Sequence, residues 1–270
     1  MSWTDAYKHL RNGGAKPLGA DAPGAAAPLS DRNLPLGARI GSLVWLQQSP
    51  LLGALADGSL IALPDSGDNR IVAVSQVRLK QAGGLYRYYL DTGDADGKEK
   101  FLQVYQNAEG QVAEVMYCTQ LTRVIPETVE DQEAYMGLAN AGLGERSYIL
   151  WRAQLDDVGL DETDLDLVFG NGDGIDYWRD AGDDDEDFIT PFSGTEIRID
   201  NPSGSLGMRQ ELYFMPYVRE LRSGGSEYLL ITTEIVSRVN GDASKRGIHV
   251  DFVIGIPIQQ ESIVIRERRR

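Results

Sequence analysis

Between Arg70 and Thr119 the chain runs through four β-patterned stretches: Arg70–Leu79, Leu85–Leu90, Lys100–Asn107 and Val112–Thr119. They are rich in Val, Ile and Tyr, with the turn signals QAGG, DTGDADG and NAEG in the short gaps between them. Gaps this short favour antiparallel hairpins over the crossover that a parallel pair needs. In Leu85–Leu90, Tyr86, Tyr88 and Leu90 share one face, while Leu85, Arg87 and Tyr89 share the other. Ser59–Leu63, before PDSGDN, reads as a further short strand. A second group follows later: a short strand near Glu196–Asp200, then Glu211–Leu221, Glu227–Arg238 and Gly247–Pro257. In the last of these, Ile248, Val250, Phe252, Ile254 and Ile256 alternate without a break, the pattern of a core strand. Thr128 followed by Asp131 has capping-box spacing and predicts a helix to about Asn140 that buries Val129, Tyr135, Met136, Leu138 and Ala139. The expected fold is therefore α+β: mainly antiparallel β-sheet in two strand-rich lobes, with a few short helices. One domain is expected over residues 36–261, with lobes at about 36–150 and 188–261, followed by a charged tail at 262–270.

The lobes are joined by a segment of unusual composition. Asp156 to Asp187 holds fourteen acidic residues and one basic residue, Arg179, and so carries −13 of the net charge of −15. A chain so acidic is a poor binder of duplex nucleic acid, which requires clustered Lys and Arg. One cysteine, Cys118, excludes an internal disulfide framework and reads as a small buried apolar residue. No apolar run approaches the ~18 residues of a membrane span, and no signal-peptide core opens the chain. These features predict a cytoplasmic protein that does not insert directly into membranes. At the N-terminus, Trp3, Tyr7 and Leu10 share helical spacing, and a Gly-, Ala- and Pro-rich linker follows. Residues 1–35 are expected to form a flexible arm. Its helix is either a frayed or docked end, or a tethered aromatic peptide offering Trp3 and Tyr7 to a partner.

Signatures of catalysis are sparse. The chain has no Walker-type phosphate loop and no G-x-S-x-G elbow, and GNGDGIDYW departs from G-x-G-x-x-G because Ile175 takes the third glycine position. His249 and Asp251 lie two apart on one strand face, so a carboxylate stands where it would orient an imidazole for hydrolysis. A polar outer face on a half-buried strand accounts for the same pair. Clustered oxygen donors around Gly turns suit a hard divalent cation, and Asn171, Asp173, Asp176, Asp183 and Asp185 are the candidate Ca²⁺ ligands. The EF-hand pattern fails, however, because Ile175 stands where a third oxygen ligand is needed. A solvated acidic loop is the simpler expectation, with no cofactor. Arg268 and Arg269, with Arg266 and Arg270, supply a basic tail that either folds back on the acidic run or engages a partner.

LPLGARIG (Leu34–Gly41), LYRYYLDTGDADGKEKFLQVY (Leu85–Tyr105) and EYLLITTE (Glu227–Glu234) together resemble an uncharacterised bacterial family of unknown function. The resemblance runs from Leu34 onward and carries no catalytic residues. Some members are encoded near proteins similar to the phage-shock membrane-remodelling protein, which implies an accessory role in envelope stress. Taken with the absent motifs, this predicts a non-catalytic interaction protein with a protein partner. Cation binding and a His249/Asp251 hydrolase are the alternatives. An open edge on the C-terminal strands would admit a second copy.

Overall fold

A computed structural model describes residues 2–12, 30–64, 67–79, 84–93, 97–155, 159–182, 185–237 and 247–267. The expected meander forms as β2 (Asn69–Leu79), β3 (Gly84–Asp91), β4 (Lys100–Gln106) and β5 (Val112–Val124). The later strands form β8 (Phe192–Ile199), β9 (Gly207–Glu220), β10 (Ser226–Ser237) and β11 (Gly247–Ile258). These do not make two lobes. β11 pairs with β5, and β8 pairs with both β9 and β2, so the order β2-β3-β4-β5-β11-β10-β9-β8 returns to β2. The expected two-lobed α+β architecture is thereby overturned: the molecule is built on a closed eight-stranded antiparallel β-barrel. Closure leaves none of these eight strands with a free backbone edge along the ladder, which is the physical gain of a barrel over two open sheets.

Four strands extend the ladder outside the barrel. β1 (Leu43–Leu46) and β12 (Ile263–Arg266) pair with each other and join it at β2. β6 (Ser147–Trp151) and β7 (Gly174–Arg179) form a hairpin that joins at β9 through Trp178 and Arg179. The start of the expected charged tail is thus folded, since β12 reaches Arg266; Arg268 and Arg269 lie outside the described residues. Ser59–Leu63 forms no strand. It is instead pinned to the outer face of β10, where Glu227 accepts hydrogen bonds from Ser59 Oγ and from the Leu60 N–H at 2.8 Å. The helices are short: α1 (Trp3–Asn12), α2 (Ser49–Ala56), α3 (Val129–Tyr135) and α4 (Glu162–Phe169). Thr128 caps α3 as expected, accepting from the Asp131 N–H, but the helix ends at Tyr135 and buries none of its residues.

α1 fills one mouth of the barrel. Trp3, Ala6, Tyr7 and Leu10 are all buried, as their helical spacing requires of a docked face. The Tyr7 ring lies 5.8 Å from Phe214, 6.1 Å from Tyr228 and 6.4 Å from Phe192, all inward-facing. Trp3 Nε1 donates to the Val115 carbonyl at 3.3 Å, Thr4 Oγ1 to Asp180 at 3.0 Å, and Arg11 to the Thr190 carbonyl at 2.7 Å. The tethered-peptide reading required an exposed Trp3, and Trp3 is 1% exposed. The linker that would make the arm flexible lies, from Gly13 to Leu29, outside the described residues.

Candidate functional site

Alternation along the strands places Arg87, Glu196, Gln210, Glu234, His249 and Asp251 on the inward face of the barrel. Arg87 and Glu196 form a buried ion pair at 3.3 Å, and Glu234 stands 3.9 Å from the same guanidinium. Glu196 also accepts from Ser75 Oγ, from Tyr89 OH at 2.9 Å and from Gln210 Nε2 at 2.8 Å. Burial would raise its pKa, but Arg87 and these donors hold it below the ordinary carboxylate range. Glu234 goes the other way. Burial, with the charges of Glu196 and Asp251, pushes it up to about 8 against the pull of Arg87 and Arg123. Burial would lower Arg87 too, yet Glu196, Tyr89 and Glu234 hold it above its usual range. Arg87 Nε donates to Gln103, whose amide donates at 3.5 Å to Tyr7 OH, so the cluster reaches the helical plug.

The two catalytic candidates lie in this setting. His249 and Asp251 share a face as their spacing requires, but Asp251 is taken by Arg123 in a bidentate pair at 2.6 and 2.7 Å and by Gln120 at 2.9 Å. His249 Nδ1 has no partner among the described residues. Asp251 therefore holds an arginine at the barrel rim and does not orient the imidazole. Cys118 faces the lumen beside Gly255, and burial pushes its thiol well up, which keeps it protonated and inert.

The acidic segment is folded through much of its length and is not one solvated loop. Asp161 caps α4 by accepting from the Asp164 N–H at 2.8 Å. Arg152 binds Glu162 and, at 2.9 Å, Asp166. Asp176 projects from β7, Asn171 and Asp173 from the turn before it, and Asp185 from the stretch after it, all exposed; Asp183 lies outside the described residues. Among the described residues no group of three His, Cys, Asp or Glu side chains is placed to hold a metal ion.

What the segment does build is α4 and β7, and β7 pairs with the preceding β6 as a hairpin. Leu150, Ile175 and Tyr177 face the outer wall of the barrel, where Tyr177 OH donates to Glu227 at 2.6 Å, and Ile149, Trp151, Asp176 and Trp178 point away from it. Trp151 and Trp178 are 51% and 56% exposed. Trp151 lies across Gly174, where a Cβ would stand 3.2 Å from its ring and 2.7 Å from Ile149. Beside Trp178 opens a cleft of about 500 Å³ lined by Arg146, Arg179, Asp180 and Val218.

The profile of a protein family of unknown function, DUF2491, matches residues 12–264. The chain belongs to the DUF2491 family. No curated protein and no solved structure matches it. The match includes the whole barrel, the lumen cluster and the β6–β7 hairpin of this DUF2491 protein, while the buried face of α1 lies before it. Sequence reasoning missed Arg87, Glu196 and Glu234. The available signal was a charge on the apolar side of a strand, as where Arg87 interrupts Leu85 and Tyr89.

Proposed function

We propose that this protein is a binding module that docks a protein partner on the outer face of the β6–β7 hairpin and performs no chemistry of its own. One observation carries the reading: Trp151, Trp178 and Ile149 are exposed together on one face of a hairpin whose second strand, β7, lies within the segment of charge −13 that begins five residues after Trp151. Aromatic side chains are the residues that protein interfaces use most heavily as anchors, and contiguous exposed apolar surface is costly to leave in water. The surrounding acids select a basic partner and speed its approach. They also disfavour nucleic acid and anionic lipid as targets. The accessory role in envelope stress implied by the family resemblance is one setting for such a binder, in the cytoplasm.

The test is capture of partners from native lysate at low and high salt with wild type, with the Trp151→Ala/Trp178→Ala double variant, and with Trp45→Ala as control. Trp45 is 42% exposed, but it lies on β1, in the strand pair that joins the barrel at β2. The hairpin variant should lose its partner and keep the wild-type melting temperature, while the control keeps both. Equal capture by wild type and the hairpin variant would sink the reading.

A further inference from the structure

We infer that β6 receives its partner by strand addition, taking an extended segment that alternates basic and apolar residues as one more strand of the sheet. The inference rests on the proposed binding role of the hairpin and specifies its chemistry. β6 is the last strand of the ladder, with β7 on one side and no strand on the other among the described residues. Its register with β7 sets which backbone groups remain. The Arg179 N–H donates to the Arg146 carbonyl, and the Arg152 N–H to that of Asp173, so the even-numbered residues of β6 exchange hydrogen bonds with β7. The backbone N–H and C=O groups of Ser147, Ile149 and Trp151 are therefore directed to the open side. Gln154 Oε1 takes the Trp151 N–H at 2.8 Å, which leaves Ser147 and, at the centre of the strand, Ile149 with both groups directed outward.

An edge of this kind pairs readily with an incoming strand, and proteins usually blunt it with lysine, proline or a bulge. β6, reading Ser-Tyr-Ile-Leu-Trp, has none of these. Charge decides between occupants. A second copy laid antiparallel on β6 would bring two segments of −13 together, whereas a basic strand would neutralise one. The side chains complete the specification. On the outer face an incoming strand meets Ile149, Trp151, Asp176 and Trp178, where a Lys or Arg finds both a carboxylate and indole faces. On the inner face it meets half-buried Tyr148 and buried Leu150, which favour an apolar residue.

The probe is a short synthetic peptide alternating lysine and valine, capped at both ends and titrated against the full chain with tryptophan fluorescence as readout. Binding should shift the emission of Trp151 and Trp178. The same peptide N-methylated at alternate backbone nitrogens should bind at least about tenfold more weakly, since it keeps its side chains and loses its ladder donors. Ile149→Pro removes one outward donor at an edge position where proline is tolerated. It should weaken the unmodified peptide similarly and leave the melting temperature near that of wild type. If both peptides bind wild type equally, while Trp151→Ala/Trp178→Ala abolishes binding, strand addition is overturned and the docking face stands. If the lysine–valine peptide binds no better than a glutamate–valine peptide, the basic partner is overturned. Sedimentation of the protein alone as a dimer that Ile149→Pro dissociates would overturn the choice of occupant in favour of a second copy.

Discussion

Glu234 is held in a barrel lumen that already contains an anionic carboxylate, Glu196, and a second one at the rim, Asp251. With Glu234 protonated, those two charges balance Arg87 and Arg123 and the cluster is neutral. The folded state thus holds a proton that the unfolded chain releases above about pH 4.3. Between there and about pH 8 the fold loses stability with each unit of rising pH on account of this group. Glu196 acts in the opposite sense. Its depressed pKa stabilises the fold above the ordinary carboxylate range, and that contribution is lost as pH falls through and below it. Glu234→Gln should therefore melt close to wild type near pH 5 and above wild type near pH 8.5, as followed by circular dichroism. Parallel pH profiles for the two proteins would assign the titration elsewhere. Arg87→Met is a harsher change, because it leaves Glu196 buried beside three neutral donors and no cation; about 3–5 kcal/mol of stability should be lost in urea titration.

At the scale of elements, α1 is where burial decides most. Trp3 and Tyr7 are among the largest fully buried side chains, although they belong to a helix of ten residues. Trp3→Ala should cost about 3–5 kcal/mol, the usual loss for a buried aromatic, and should lower the urea midpoint. The face of α1 was legible from Trp3, Tyr7 and Leu10, but its receptor was not, since Phe192, Phe214 and Tyr228 are about 190–220 residues away in sequence. β11 was legible for the reason that β8 was poorly so. The outward face of β11 is an unbroken apolar row that packs under other elements. In β8 the inward positions are Phe192, Gly194, Glu196 and Arg198, so a polar lumen erases the alternation. The acidic segment misled in a related way, because composition dominated the reading while Ile175 and Tyr177 were supplying the period-two pattern of β7.

For the whole molecule the decisive contact is the seam between β2 and β8, which pairs residues 74–79 with 194–199. No local pattern announces such a closure. The strand-by-strand reading reached the right direction of pairing and then stopped at two sheets. Gly194 lies in that seam, and a Cβ there would stand 2.3 Å from the Arg78 carbonyl oxygen, a backbone atom held by its own ladder. Gly194→Ala should therefore cost about 1–3 kcal/mol, the penalty of overpacking a tight site. It should also raise the unfolding rate in stopped-flow experiments if the seam closes late in folding.

The docking of α1 sets an order of events on the ribosome. The helix is made first, but its receptor is assembled from strands as late as β10, with Tyr228 more than 200 residues behind Trp3. At typical synthesis rates an amphipathic helix bearing Trp3, Tyr7 and Leu10 waits roughly 10–40 s for a place to go. Throughout that interval the nascent chain presents the kind of segment that chaperones hold, and the barrel receives its plug only when nearly all of it has been translated.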